Sequence, residues 1–302
     1  MRSRMAGTSS TDDFVPAVRN GPFAVINCHT YCCDALIIFP GGEESTHFRL
    51  PNFNEDKARR ARSDLDISLK QKHLRQRGVR PRHQLGHEDR IEGVLQALWG
   101  DIFKPVLDEL GYMGNIPKEC LPHITWCPTG SLSFLPLHAA GDYSQPGSKV
   151  FDYVISSYVP TLTALLASSH SDLKRSCRML AVGQAATPGD TPLPGTTKEL
   201  SHVKAHAYSS TEYSELVDAQ TTTTSVLDAM EENDWVHLAC HAHQNVDNPT
   251  KSGFFLHDGT LDLASINRRS FKNKGLAFLS ACQTATGDER LPDEAFTLHL
   301  AC

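Results

Sequence analysis

The chain has 302 residues, of which 40% are hydrophobic and 21% are charged, and its formal net charge is -6. This length allows one large domain or two smaller ones, each with a sizeable core. The acidic balance argues against nucleic acid as the main partner. No apolar run in the sequence has the length of a membrane span.

The nine cysteines are spaced irregularly and include no repeated CxxC pair. The sequence therefore predicts no zinc ribbon. The first ten residues lack the apolar segment of a secretory signal peptide. Free thiols are typical of a reducing compartment, so we expect a cytoplasmic protein.

The N-terminal third contains strand-like runs followed by a helical pattern. Apolar runs at 23–28 and 34–40 predict two strands of a hairpin or a sheet edge. Residues 57–90 are rich in Arg, Lys, Gln and His, which predicts a solvated helix with a loop or, alternatively, a basic docking surface. Apolar residues in 91–110 recur at helical spacing and predict a helix that breaks or kinks near Pro105.

From residue 121 onwards, short apolar strands alternate with helices. This alternation predicts an α/β fold with a mostly parallel sheet. Thr196 and Glu199 have the spacing of a capping box, and Thr222 or Thr223 is placed to cap a second helix. The predicted strands occupy residues 123–128, 154–159, 179–183, 212–217, 235–240 and 275–281.

Two of these runs each end at a residue suited to nucleophilic catalysis. The run that begins at Trp235 leads to His241, and the run that begins at Gly275 leads to Cys282. Because side chains beyond the carboxyl ends of parallel strands gather at one edge of a sheet, we expect this imidazole and thiol to lie close together. Histidine would then serve as the base, and its charged form would stabilise the thiolate. The spacing alone also fits two buried structural residues.

Three neighbouring polar residues have simpler interpretations. His237 shares a strand face with His241 and is interpreted as a hydrogen-bonded structural residue, whereas Cys240 points to the opposite face and into the core. Asp258 and Gly259 predict a type I′ turn between two short strands. The main role of Asp258 is therefore in the turn, and the alternative is that it binds a basic side chain of a substrate.

The sequence around these residues resembles the CHAT domain, a caspase-related family in the same clan as caspases and separases. Such domains are often found behind tetratricopeptide repeats. The resemblance covers residues 90–302 well and residues 20–90 loosely. It rests on HLACH at 237–241, SGFFLHDGTL at 252–261 and LSACQTATG at 279–287, with weaker blocks at 126–140, 158–165 and 193–200.

The resemblance implies a caspase-like, mostly parallel sheet flanked by helices, preceded by an N-terminal β-hairpin and a helical segment. It implies a cysteine endopeptidase with Cys282 as nucleophile and His241 as base. The oxyanion would be held by the backbone N–H groups of Cys282 and Ala242. No metal and no organic cofactor is implied. The expected partners are a protein or peptide substrate and tetratricopeptide-repeat proteins.

Two features depart from the family pattern. Ala242 stands where the family normally has glycine, and a Cβ there would disfavour a positive φ by about 1 kcal/mol. Family members continue for some tens of residues beyond the nucleophile, whereas this sequence ends at Cys302. We therefore expect the caspase-like core to be incomplete at its C-terminus, which would leave a sheet edge uncovered.

These observations predict three regions. Residues 1–20 form a disordered lead-in, residues 21–120 form the N-terminal hairpin and helical part, and residues 121–302 form the caspase-like α/β core. The predicted function is that of a caspase-like cysteine endopeptidase with a His–Cys dyad. The alternatives are a catalytically inactive scaffold or interaction module, and a gene-model fragment.

Overall fold

The computed structural model describes residues 21–41, 45–71, 90–114, 120–168, 177–207, 211–245, 248–271 and 275–281. The predicted lead-in at 1–20 and the nucleophile Cys282 lie outside the described residues. The described chain divides into two compact units, residues 21–168 and residues 177–281. No helix in the described ranges has both the length and the apolar character needed to cross a membrane.

The first unit is built on a five-stranded sheet with the order β3-β2-β1-β4-β5. The predicted hairpin is confirmed, because β1 and β2 pair antiparallel from Phe23–Ile38 to Asn27–Asp34. Strand β4 pairs parallel with β1, so residues 120–168 share a compact unit with the hairpin. The elements are β1 Phe23–Asn27, β2 Cys33–Ile38, β3 Ser45–Leu50, α1 Glu55–Gln71, α2 Arg90–Leu98, α3 Lys104–Glu109, β4 His123–Pro128, β5 Ile155–Tyr158 and α4 Leu162–Ser168.

The predicted kink near Pro105 is confirmed as a turn of π-helix at Trp99–Phe103, between α2 and α3. Proline has no N–H to donate to the carbonyl four residues earlier, and its ring crowds that carbonyl, so the regular hydrogen bonding cannot continue. The wider turn buries Trp99 and Phe103 together. Phe103 meets Trp126 of β4 edge to face, with ring centroids 5.0 Å apart.

The second unit contains a four-stranded sheet with the order β12-β8-β6-β7, in which every pair is parallel. Alternate residues of its strands pack on opposite helices: Leu180 and Leu238 join the cluster that contains Val226 of α6, and Ala239 joins Leu200 of α5. The predicted α/β fold, a mostly parallel sheet flanked by helices, is confirmed. The elements are β6 Arg178–Gly183, α5 Gly195–His206, β7 Glu212–Val217, α6 Thr223–Glu232, β8 Trp235–Ala239 and β12 Leu276–Ser280.

A small antiparallel sheet follows β8 directly. It comprises β9 His241–His243, β10 Gly253–Phe255 and β11 Thr260–Asp262, and the short helix α7 Leu263–Asn267 comes after it. The predicted β10–β11 hairpin is confirmed, but the prediction of a type I′ turn between the two strands is wrong. The loop is four residues long and is closed by the N–H of Leu256 donating to the carbonyl of Gly259 at 2.8 Å. Gly259 has a positive φ and Asp258 does not, whereas a type I′ turn needs both.

Candidate functional site

The four parallel strands of the second unit end level with one another. Gly183 of β6 is in register with Val217 of β7 and with Ala239 of β8, and Ala239 is in register with Ser280 of β12. The residues that follow these positions therefore meet at one edge of the sheet, as expected for a parallel arrangement. They include Gln184, Asp218 and His241.

His241, the predicted base, lies at this edge of the sheet. It opens β9, two residues beyond the end of β8, and its Nε2 atom lies 2.7 Å from the carbonyl oxygen of Thr191. A carbonyl only accepts hydrogen bonds, so Nε2 carries a proton, and the tautomer compatible with this contact has its lone pair on Nδ1. The contact thus holds the imidazole in the tautomer of a base that acts through Nδ1.

The loop that carries Thr191 is tied down by the carboxylate of Asp218. Its Oδ1 atom accepts hydrogen bonds from the N–H groups of Ala185 and Ala186, at 3.0 and 3.3 Å. Asp218 has a φ of 45°, and it is the one non-glycine residue in the described ranges with a positive φ. This conformation costs an L-residue about 1 kcal/mol, although aspartate tolerates it better than most. The strain indicates that the position of the carboxylate is set by its bonds to the loop.

Gln184 fixes the same loop from inside. Its side chain is fully buried, donates from Nε2 to the carbonyl of Ala186 at 2.9 Å, and accepts from the hydroxyl of Thr221. Its backbone N–H donates to the carbonyl of Ala239 at the end of β8. Gln184 therefore connects the loop to the strand that leads into His241. Gln184 and Asp218 were not predicted, although both follow the end of a parallel strand, as His241 does.

Ala242 lies in the middle of β9, opposite Phe254 of β10, and is 8% exposed. Its φ is not positive. The expected penalty for replacing glycine is therefore absent, because extended backbone accommodates a Cβ without strain. The methyl group packs in the core of the second unit.

His237 is a buried structural residue, as predicted. Its Nε2 atom lies 3.0 Å from Oε1 of Glu199, and its ring stacks on Phe278 with a 5.0 Å centroid separation. The prediction of a capping box for α5 is wrong. That helix begins at Gly195 without a side-chain cap, and Glu199 bonds to His237 instead. A buried imidazole needs a hydrogen-bond partner more than an exposed helix end does. Cys240 is fully buried in the core, as predicted.

Asp258 has a structural role in the hairpin loop. Its carboxylate accepts from the N–H of Thr223 at 2.7 Å and from the hydroxyl of the same residue at 3.2 Å. These bonds satisfy a donor in the first turn of α6. Thr222, as predicted, caps the same helix by accepting from the N–H of Ser225.

Asp258 also lines an open cleft of about 340 Å³ together with Thr187, Asp190 and His257. Thr187 is 7% exposed, and its buried hydroxyl has no hydrogen-bond partner in the described part of the chain. Asp190 directly precedes Thr191, whose carbonyl contacts His241. Two carboxylates and an unpaired hydroxyl give it a polar, acidic character.

The predicted nucleophile cannot be placed, since Cys282 lies outside the described residues. Its strand is described as far as Ala281, and Ser280 is paired with Ala239. In sequence, Cys282 follows Ser280 by the same two positions by which His241 follows Ala239. Across the described ranges, no group of three or more His, Cys, Asp or Glu side chains is arranged to hold a metal ion.

The second unit is thus an α/β domain in which a histidine at the carboxyl edge of a parallel sheet is held by a backbone carbonyl. The chain belongs to the caspase-like CHAT domain family, whose model matches residues 92–301. The match begins in α2 of the first unit and continues through the second. A comparison with curated proteins found no match.

Proposed function

We propose that this chain is a cysteine endopeptidase that uses His241 as its base and Cys282 as its nucleophile. The observation that carries the proposal is the 2.7 Å contact between His241 Nε2 and the carbonyl of Thr191. A base must be oriented by a third group before it can activate a nucleophile, and this carbonyl is such a group. A histidine that served only to pack the core would not need its ring fixed at the edge of the sheet.

The register of the sheet supports the pairing of the two residues. Ala239 and Ser280 are in register on neighbouring parallel strands. His241 and Cys282 each come two residues later, and side chains beyond the carboxyl ends of such strands gather at the same edge. A thiol next to this imidazole would lose its proton readily, because the charged ring stabilises the thiolate.

The proposed reaction is an acyl transfer to sulfur followed by hydrolysis. The thiolate of Cys282 attacks the scissile carbonyl, and the backbone N–H groups of Cys282 and Ala242 hold the developing oxyanion. His241 protonates the leaving amine and later takes a proton from the water that cleaves the thioester. No step requires a metal or an organic cofactor.

The cleft beside Thr191 supports a preference for substrates with a basic side chain. Asp190 and Asp258 bring two carboxylates to it, and the buried hydroxyl of Thr187 is available as an acceptor. A Lys or Arg side chain would complement both features. The cytoplasmic location and the tetratricopeptide-repeat partners remain predictions of the sequence.

A peptide library incubated with the full chain tests the proposal. We expect cleavage by the wild-type chain and a loss of roughly 10³-fold or more in Cys282→Ala and in His241→Ala, because a dyad acts as a unit. Cys120→Ala is the matched control, since Cys120 is exposed and lies in the first unit. The proposal is overturned if the folded wild-type chain cuts no peptide, or if Cys282→Ala cuts at the wild-type rate.

A further inference from the structure

Two cysteines of the first unit face each other at the loop end of the β1–β2 hairpin. The last ladder pair of the hairpin is Asn27 with Asp34, so Cys28 and Cys33 occupy the next opposed positions. Their Sγ atoms lie 3.3 Å apart and share a hydrogen bond. Cys33 is fully buried, whereas Cys28 is partly exposed.

The backbone at this pair suits a direct bond between the sulfurs. The N–H of Cys33 donates to the carbonyl of Phe53 at 2.8 Å, and the N–H of Cys28 donates to Oγ1 of Thr129 at 2.9 Å. Neither N–H is therefore used to bond the opposite cysteine. In an antiparallel ladder, pairs of this kind have Cα atoms about 4.5 Å apart, inside the span of roughly 4.4–6.8 Å that a disulfide accepts, and the 3.3 Å sulfur separation shows that these two side chains already point at each other.

The chemistry of the pair favours reaction at sulfur. The hydrogen bond between the two sulfurs lowers the pKa of the Cys33 thiol, while the same bond and burial raise the pKa of Cys28. The pair therefore loses its first proton readily, and the remaining proton bridges the two sulfurs. No third side chain joins them in a metal-binding group within the described part of the chain.

We propose that Cys28 and Cys33 form a modification site at which hydrogen peroxide oxidises two thiols to a disulfide. A small oxidant reaches the pair through the partly exposed Cys28. The thiolate sulfur attacks one peroxide oxygen, so that an S–O bond forms, the O–O bond breaks and the leaving hydroxide takes up a proton. The second sulfur then displaces that oxygen, forming the S–S bond, and its own proton leaves with the hydroxide as water. Two electrons pass from sulfur to peroxide, and the products are one disulfide and two waters.

The test treats the reduced full chain with hydrogen peroxide, blocks the remaining thiols with N-ethylmaleimide, and digests the chain with chymotrypsin without reductant. Chymotrypsin cuts after Tyr31, which separates Cys28 from Cys32 and Cys33. We expect the two peptides to remain joined, with fragmentation locating the bond at Cys33 and dithiothreitol releasing it. The joined peptide should appear at about a tenfold lower peroxide dose than oxidation of the exposed Cys120, because the pair holds a thiolate more readily.

Cys32→Ser is the matched control, because Cys32 lies in the same loop next to Cys33. The linkage should persist in Cys32→Ser and disappear in Cys28→Ser and in Cys33→Ser. The proposal is overturned if the wild-type peptides separate after oxidation, if the bond is located at Cys32, or if Cys28 accumulates as a sulfinic acid. The wild-type digest alone gives these outcomes, so the test does not depend on how well a variant folds.

Discussion

The Nε2 atom of His241 lies 2.7 Å from the carbonyl oxygen of Thr191, although the two residues are 50 positions apart in the chain. This hydrogen bond fixes both the tautomer and the orientation of the imidazole. Since Thr191 contributes a backbone atom, the quality of the contact depends on the residues that hold its loop. The position of the imidazole therefore depends on Asp218 and Gln184 more than on the side chain of Thr191 itself.

Replacing Asp218 with alanine should destabilise the second unit by about 2 kcal/mol. Two hydrogen bonds to the loop are lost, and alanine tolerates a positive φ less well than aspartate does. Asp218→Gly loses the same bonds but relieves the backbone, so it should recover about 1 kcal/mol of that loss. Urea unfolding of both variants gives the two values. Equal stability of Asp218→Gly and wild type would show that the carboxylate does not hold the loop.

Replacing Glu199 with alanine should cost about 1–3 kcal/mol, because the buried imidazole of His237 loses its hydrogen-bond partner. Glu199→Gln keeps an acceptor oxygen and should cost less. Neither variant should change the rate at which Cys282 is alkylated, because His237 is a structural residue. A slowed alkylation in a variant that stays folded would assign His237 a role in the site.

Replacing Asp190 with asparagine should lower kcat/KM for substrates with a basic side chain and leave neutral substrates unaffected. Asp190 is exposed in the cleft, so the stability of the chain should not change. Asp258→Ala is the comparison variant, because the carboxylate of Asp258 also bonds Thr223 and its removal should cost about 0.5–2 kcal/mol. Kinetics on matched basic and neutral peptides, together with thermal melts, separate the two effects. Loss of activity on both peptide types in Asp190→Asn would argue against a charge-selective cleft.

Protonation of His123 should weaken the first unit as the pH falls. Burial lowers the pKa of this histidine, and its Nδ1 atom is buried without a hydrogen-bond partner in the described structure. The unfolded chain therefore binds the proton more readily than the folded chain does. The contribution of the neutral imidazole to the free energy of unfolding is fully present above the ordinary histidine pKa of about 6.5, and it is lost as the pH falls towards the lower pKa of the folded state. Urea midpoints between pH 7 and pH 5 should fall less steeply in His123→Gln than in the wild type. The exposed His29→Gln should follow the wild type, and equal slopes in all three chains would contradict this account.

The sequence predicted the elements that local patterns determine. Strands β8 and β12 were evident because each is a short apolar run, and their parallel pairing follows from the strand–helix alternation. The cap of α6 at Thr222 was also predicted, because a cap involves residues only three positions apart.

Contacts between distant residues could not be predicted in this way. Thr191 acts through a carbonyl that every residue possesses, so its side chain gave no signal. Glu199 has the spacing of a capping box, yet its partner is His237 on a different element. The contact between Cys28 and Cys33 depends on the hairpin register, which the boundaries of the two predicted strands left open.

The measurement that tests the central claim most directly is the alkylation rate of each cysteine against pH, followed by peptide mapping of the full chain. If His241 activates Cys282, this thiol should react much faster than the exposed Cys120 below pH 7, and His241→Ala should shift its reactivity towards the ordinary thiol pKa of about 8.5. The exposed Cys120 serves as the internal reference, and His237→Ala serves as the control for loss of a neighbouring imidazole. If Cys282 reacts like Cys120 in the wild-type chain, the two residues do not form a dyad and the peptidase assignment is wrong.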